Sequence, residues 1–201
     1  MSAVVQDRTE VMLRYPVRTH PYAGVSHDSE GRYYDFKTRP DLITKVLEDF
    51  KPHAGRCSVQ HFYRLLQYIN RPDGSFETTD CGLTKRLYQL PSSPFPEKSG
   101  CLGGRLMLIF RDLDQNCSKK HVIKLVRKMQ RQLLNFGRDA SYVGFVVGPF
   151  PTLFLETQKR GFQTDIEFAM WGDSFEDAMA RFDEVVGLME RTIVECDKRG
   201  L

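Results

Sequence analysis

The segment Arg105–Arg199 constrains the fold more than any other part of the chain. Leu106–Phe110 is apolar throughout, so it predicts a strand that is buried on both faces. Ser118 can then cap a helix whose apolar stripe continues until Gly137, a typical helix stop. A last helix begins after Ser174, and its first turn is acidic. The segment therefore begins with a strand and a helix and ends with a second helix.

Between these two helices the pattern predicts strands. Tyr142–Val147 forms one strand, and a hairpin then joins Leu153–Thr157 to Phe162–Trp171 across Lys159–Gly161. In the last strand apolar residues alternate with acids, which predicts one buried and one solvated face. The apolar set is Ile166, Phe168 and Met170, and the acids are Asp165 and Glu167.

The N-terminal part is less regular. Residues 1–37 read as an irregular arm rich in basic and aromatic side chains, with short strands near Val11–Tyr15 and Arg32–Phe36. Residues 38–90 form a helical segment, in which capping signals and apolar spacing predict helices over 38–50 and 58–70. The stretch Leu90–Gly104 is rich in proline and glycine and predicts a loop.

The order of these elements predicts an α+β protein with a mainly antiparallel sheet. Residues 105–201 form a βαββα unit of the ferredoxin-like type, with two helices on one face. Leu106–Phe110 needs cover on its second face as well, and the helices over 38–50 and 58–70 are the candidates to supply it. We therefore favour one compact domain over two independent ones.

Composition limits the function classes. The 201 residues carry a net charge of only +3, so a polyanion would need a local patch to bind. No apolar run reaches the length of a membrane helix, and the N-terminus lacks the pattern of a signal peptide. The five cysteines are scattered, with no CxxC pair, which favours free thiols in a reducing cytoplasm. We expect no membrane association.

The helix after Ser118 carries a basic face. Its members could contact the phosphates of a nucleic acid or an acidic protein: Lys120, Lys124, Arg127, Lys128 and Arg131. Residues 165–195, however, contain nine acids against two arginines. If the two helices lie side by side, these acids could neutralise part of the basic face. The alternatives are an internally balanced surface, a nucleic-acid contact over 119–131 and a protein contact.

Asp112 and Asp114 follow a buried strand and precede a helix. Two carboxylates at a strand end can hold Mg²⁺ against a phosphate, as phosphoryl transfer requires. The same sequence, Asp-Gln-Asn-Cys-Ser, is also typical of turns and helix caps. We expect the capping role, with metal-dependent phosphoryl transfer as the alternative.

His53, Cys57 and His61 are spaced four residues apart. On one continuous helix this spacing could bind Zn²⁺. Pro52 and Gly55 argue against a continuous helix, and no fourth ligand is evident, so we expect no metal site here.

No compact catalytic constellation is present in the sequence. We therefore expect a non-catalytic cytosolic binding protein that acts as a regulator or adaptor, without a cofactor. A protein partner is favoured over a nucleic acid. The partner's identity and the oligomeric state stay open.

Overall fold

The computed structural model describes residues 2–21, 59–84 and 94–198, together with Asp41. Within these ranges six strands form one mixed sheet. The strands are β1 (Val4–Asp7), β2 (Arg18–His20), β3 (Phe76–Thr84), β4 (Gly100–Phe110), β5 (Val143–Phe154) and β6 (Lys159–Gly172). The helices are α1 (Thr9–Met12), α2 (Val59–Ile69), α3 (Leu113–Cys117), α4 (Lys119–Phe136), α5 (Phe175–Met179) and α6 (Phe182–Lys198). The α+β class predicted from the sequence is confirmed.

The sheet order is β1, β5, β6, β4, β3, and β2 pairs with the far end of β5. The pairs β3–β4, β4–β6 and β5–β6 are antiparallel, whereas β1 and β2 run parallel to β5. Strands β4 and β5 are separated in the sheet by β6 and joined along the chain by α3 and α4. The mainly antiparallel arrangement predicted for residues 105–201 is therefore observed.

One face of the sheet packs against helices. Alternate residues of β4, β5 and β6 point to this face, and they form one core with α2, α4 and α6. Its sheet side consists of Leu102, Leu106, Leu108, Phe110, Val143, Phe145, Val147, Ile166, Phe168 and Met170. Residues 106–110 are all buried, as their unbroken apolar run predicted.

The predicted position of the N-terminal helices is wrong where it can be compared. Helix α2 lies beside α6 on the same face as α4, with Phe62 against Phe182 at 5.8 Å between ring centroids. It therefore does not cover the second face of the sheet. The helix predicted over 38–50 and the strand Arg32–Phe36 lie outside the described residues, apart from Asp41.

Other predicted boundaries also change. Residues 2–21 are not an irregular arm but form β1, α1 and β2, and Thr9–Met12 is a helix where a strand was predicted over Val11–Tyr15. We call residues 2–21 the N-terminal strap. Strand β3 was not predicted at all. Strand β4 begins at Gly100, inside the stretch predicted to be a loop.

Residues 143–147 and 153–154 of the two predicted strands belong to one strand, β5, that runs through Pro149 and Pro151. The turn lies at residues 155–158, and Lys159–Gly161, predicted as the turn, belongs to β6. Proline cannot donate a hydrogen bond to a neighbouring strand, so it is tolerated only where a sheet edge is unpaired. Both prolines lie in the gap between the segments of β5 that pair with β1 and with β2. The two prolines thus explain why two short strands, and not one long strand, cover this edge.

The caps of the long helices follow the sequence. Ser118 accepts a hydrogen bond from the His121 amide at 3.4 Å, and Gly137 ends α4. Ser174 accepts one from the Asp177 amide at 3.1 Å and begins α5. The predicted last helix is interrupted at Ala180 and Arg181, after which α6 begins.

None of the described helices combines the length and the apolar composition needed to cross a membrane.

Candidate functional site

The basic face of α4 points away from the sheet. Its buried side consists of Val122, Leu125, Val126, Met129 and Leu133. On the opposite side four cations recur at helical spacing and are all exposed: Lys120, Lys124, Arg127 and Arg131. We call these four residues the basic stripe. It extends about 16 Å along the helix, at 1.5 Å per residue.

Within the described residues, no ion pair joins an acid of α6 to Lys120, Lys124 or Arg131. Although α4 and α6 pack side by side, the carboxylates of Asp183 and Glu190 contact His61 on α2, at 3.6 and 3.0 Å. Asp197 binds Arg71 and also accepts hydrogen bonds from Tyr68 (3.2 Å) and the Ser75 amide (3.1 Å). Asp183, Glu190 and Asp197 therefore join α6 to α2 and to the turn that follows it.

The residues of the stripe have few partners of their own. In the described part of the chain, Lys120, Lys124 and Arg131 form no hydrogen bond or ion pair. Arg127 is close enough to Asp7 to help lower the pKa of that carboxyl group, after the larger effect of hydrogen bonds from Thr9. Lys128, to the side of the stripe, donates to the Cys196 carbonyl at 3.2 Å. Internal balance therefore does not account for the stripe.

A large apolar residue lies at the end of the stripe. Leu134 follows Arg131 by three residues, so it continues the same helix surface. Its exposed fraction is 49%. Leu134 was not predicted as a site residue, although the helical spacing of α4 places it away from the buried side of the helix.

Asp112 caps a helix, and Asp114 lies in the first turn of that helix. Asp112 begins α3 and accepts hydrogen bonds from the Asp114 amide and from the Gln115 side chain, both at 3.1 Å. Asp114 pairs with Lys159 at 2.6 Å across an exposed surface. Both carboxylates are thus engaged in local contacts at the beginning of α3.

His61 is the one member of the predicted zinc set that the structure describes, since His53 and Cys57 lie outside the described residues. Within the part of the chain that the structure describes, His61 contacts two carboxylates of α6 and no thiol or second histidine. Among the described residues no group of three or more potential ligands is arranged to hold a metal ion.

The second face of the sheet carries a charged cluster that the sequence analysis did not predict. Asp165 and Glu167 alternate with the buried apolar residues of β6, and their strand neighbours on β4 are Met107 and Arg105. Asp80 on β3 binds Arg105 and lies 3.6 Å from Arg18 on β2.

Asp165 is the most unusual member of this cluster. The face was expected to be solvated, yet Asp165 is only 1% exposed, and its Oδ1 has no hydrogen-bond partner. Burial, together with the nearby charge of Glu167, raises the pKa of Asp165 to about 8. Burial also raises the pKa of Glu167. The Asp165 side chain is therefore mostly neutral at pH 7.

The ion pair between Arg18 and Asp80 shows that the sheet is strongly curled. Strands β2 and β3 are four strand spacings apart, about 19 Å in a flat sheet, which exceeds the reach of the two side chains. A second contact agrees: Thr79 on β3 hydrogen-bonds Gln163 on β6 across the intervening strand β4. The charged cluster therefore lies on a concave surface.

Comparisons with protein-family models, with curated proteins and with solved structures found no match for this chain.

Proposed function

We propose that this protein is a non-catalytic binding protein that acts as a regulator or adaptor, and that it binds an acidic surface of a partner protein through the basic stripe and Leu134. The observation that carries the proposal is the absence of ion pairs at Lys120, Lys124 and Arg131 within the described residues. Complementary charge across an interface speeds association and selects the partner.

The composition of α4 supports a role outside folding. The helix contains six lysines and arginines and no acid. Lys119 and Lys120 lie in its first turn, where the partial positive charge of the helix N-terminus disfavours cations by about 0.3–1 kcal/mol each. Acids there would stabilise the free protein better. The basic residues are therefore better explained by binding than by stability.

Leu134 favours a protein partner over a nucleic acid. An exposed apolar residue beside charged side chains can add apolar contact at the centre of a protein interface with a polar rim. Phosphates would contact the cations and gain nothing from the leucine. Nucleic-acid binding through residues 119–131 stays the alternative.

The proposal also includes the type of fold, the cellular location and the absence of phosphoryl transfer that we expected from the sequence. The strand order β5, β6, β4 supports a ferredoxin-like-type unit over 105–201 within one domain. The scattered cysteines support a cytoplasmic location. The cap formed by Asp112 and the ion pair of Asp114 with Lys159 do not support phosphoryl transfer, which stays the second alternative.

The proposal can be tested by charge reversal. Tagged wild-type protein and the Lys124→Glu/Arg131→Glu variant are used for affinity purification from source cells in low salt, and each protein recovered by the wild type alone is purified and titrated. We expect an acidic protein that binds the variant at least about tenfold more weakly, because two rim charges change sign. Leu134→Asp should weaken the same complex.

Arg64→Glu/Arg160→Glu is the matched control, since it reverses two exposed arginines outside α4 with the same change in net charge. It should bind like the wild type. Single- and double-stranded oligonucleotides are titrated in parallel at about 50 mM salt. A partner that binds the stripe variant as tightly as the wild type contradicts the proposal. Tight oligonucleotide binding that the stripe variant loses would replace it with the nucleic-acid alternative.

A further inference from the structure

The N-terminal strap covers the part of the second face that holds Asp165. The residue opposite Asp165 on β5 is Gly148. A side chain at position 148 would collide with the sulfur of Met12 on α1, so Met12 lies directly over Gly148. Met12 is fully buried. Asp165 therefore lies next to a surface that α1 closes.

Arg18 extends the cover across the concave surface. Its Nη1 approaches the Met107 sulfur at 3.4 Å, and Met107 is the β4 neighbour of Asp165. The guanidinium also lies over the Phe150 ring, 5.3 Å from its centroid, and reaches Asp80 on β3. The Arg18 side chain thus connects the N-terminal strap to β3, β4 and β5.

The groups around Asp165 do not favour a negative charge there. Its direct strand neighbours are Met107 and Gly148, which offer it no side-chain donor. The charged groups facing it are Glu167 on β6, Asp80 on β3, Arg105 on β4 and Arg18 on β2, and β5 contributes no ionisable side chain at this level. Burial raises the pKa of Glu167, and the positive charges of Arg105 and of Arg8, which precedes α1, oppose this increase.

No hydrogen bond or ion pair joins either arginine to Asp165. Full hydration of an ionised Asp165 would therefore need the cover to move, since its Oδ1 is buried without a hydrogen-bond partner.

We propose that the N-terminal strap opens and closes over Asp165 with the release and uptake of a proton, so that the closed form is favoured while Asp165 is protonated and the open form gains when it is ionised. Opening would leave the outer edge of β5 unpaired at residues 144–147 and 152–154, where β1 and β2 now pair. This inference is independent of the basic stripe.

The sign and the pH window follow from linkage. The closed form keeps its proton up to a pKa of about 8, whereas a solvated aspartate has a value of 3.8. Between these values the closed form binds one more proton than the open form, so closure weakens as the pH rises. Above about pH 8 both forms are ionised, and the dependence levels off.

Hydrogen exchange on the full chain tests the proposal. The Leu155 amide is a useful probe, because it donates to the His20 carbonyl at 2.9 Å. Its exchange and that of β1 and β2 are followed from pH 5 to pH 9 and corrected for the intrinsic rate. We expect the opening constant to rise by up to about tenfold per pH unit and to level off near pH 8. Amides in the core of α4 exchange through global unfolding, so their opening constant should be far smaller than that of the strap at every pH.

Asp165→Asn should abolish this slope, since the amide does not ionise, whereas Asp139→Asn, at an exposed site, should retain it. If Asp165→Asn does not fold, Glu167→Gln takes its place. Removing the repulsion from Glu167 should lower the pH at which the slope ends. A pH-independent opening constant in the wild type overturns the proposal. It is also overturned by an unchanged slope in Asp165→Asn or an unchanged end point in Glu167→Gln.

Discussion

The two faces of the sheet are built from the same strands but differ in chemistry. On the face covered by α2, α4 and α6, strands β4, β5 and β6 contribute mainly apolar side chains to the core, and none of them is ionisable. On the opposite face the intervening positions include Arg105, Asp165 and Glu167 beside buried apolar residues such as Met107. The first face serves stability through burial of apolar surface. The second buries ionisable groups at an energetic cost, which suggests a role other than stability.

The largest expected effect concerns the helix-covered face. Phe168 is 2% exposed and lies near Phe182 of α6. Phe168→Ala should reduce the free energy of unfolding by about 3–5 kcal/mol, because it leaves a cavity in the main core. Urea unfolding measures the change. Phe150→Ala is the control on the second face, where the ring is only partly buried under Tyr15 and Arg18. An equal loss in both variants would remove the distinction between the faces.

The next effect concerns the buried acid on the second face. Because the folded protein keeps a proton on Asp165, its stability should fall as the pH rises from about 4 to about 8. Asp165→Asn should flatten this dependence and be more stable than the wild type at pH 8, by an amount on the order of a few kcal/mol. Thermal unfolding between pH 5 and pH 9 measures both curves. Parallel curves would show that Asp165 is not the titrating group.

Ion pairs provide a smaller contrast. Asp80 is 19% exposed and binds Arg105, with Arg18 close by. Asp80→Asn should cost about 1–3 kcal/mol, because the two guanidinium groups lose a partly buried partner. Asp114→Asn removes an ion pair whose side chains are 54% and 74% exposed, and should cost about 0–1 kcal/mol. Urea unfolding at low and high salt measures the free energy of unfolding of both variants. A larger loss in Asp114→Asn than in Asp80→Asn would contradict the prediction.

The smallest effect concerns α4, where stability and binding should move in opposite directions. Lys120→Glu should stabilise the free protein by about 0.3–1 kcal/mol, because an acid suits the beginning of a helix. The same variant should bind the partner more weakly. Circular dichroism during thermal unfolding measures the first effect, and titration of the partner the second. A variant that loses both stability and binding would show that Lys120 has a structural role.

Local features of the fold could be predicted from the sequence because they depend on near neighbours in the chain. The apolar run at 106–110, the stripe of α4 and the caps at Ser118 and Ser174 specify elements that the structure contains. The exposed positions of the basic stripe follow from the same helical spacing. The same helical spacing could have predicted that Leu134 is exposed.

Only the tertiary structure decided which elements cover each face and which charges meet. The strand alternation at Asp165 and Glu167 predicted a solvated face, but the curl of the sheet and the N-terminal strap bury Asp165. Likewise, the excess of acids in residues 165–195 suggested compensation of α4, whereas Asp183 contacts His61 on α2 and Asp197, at the end of α6, binds Arg71 in the turn after α2. Burial and ion pairing depend on contacts between residues far apart in sequence, such as Arg18 with Asp80. The periodicity of a single element therefore contains no information about them.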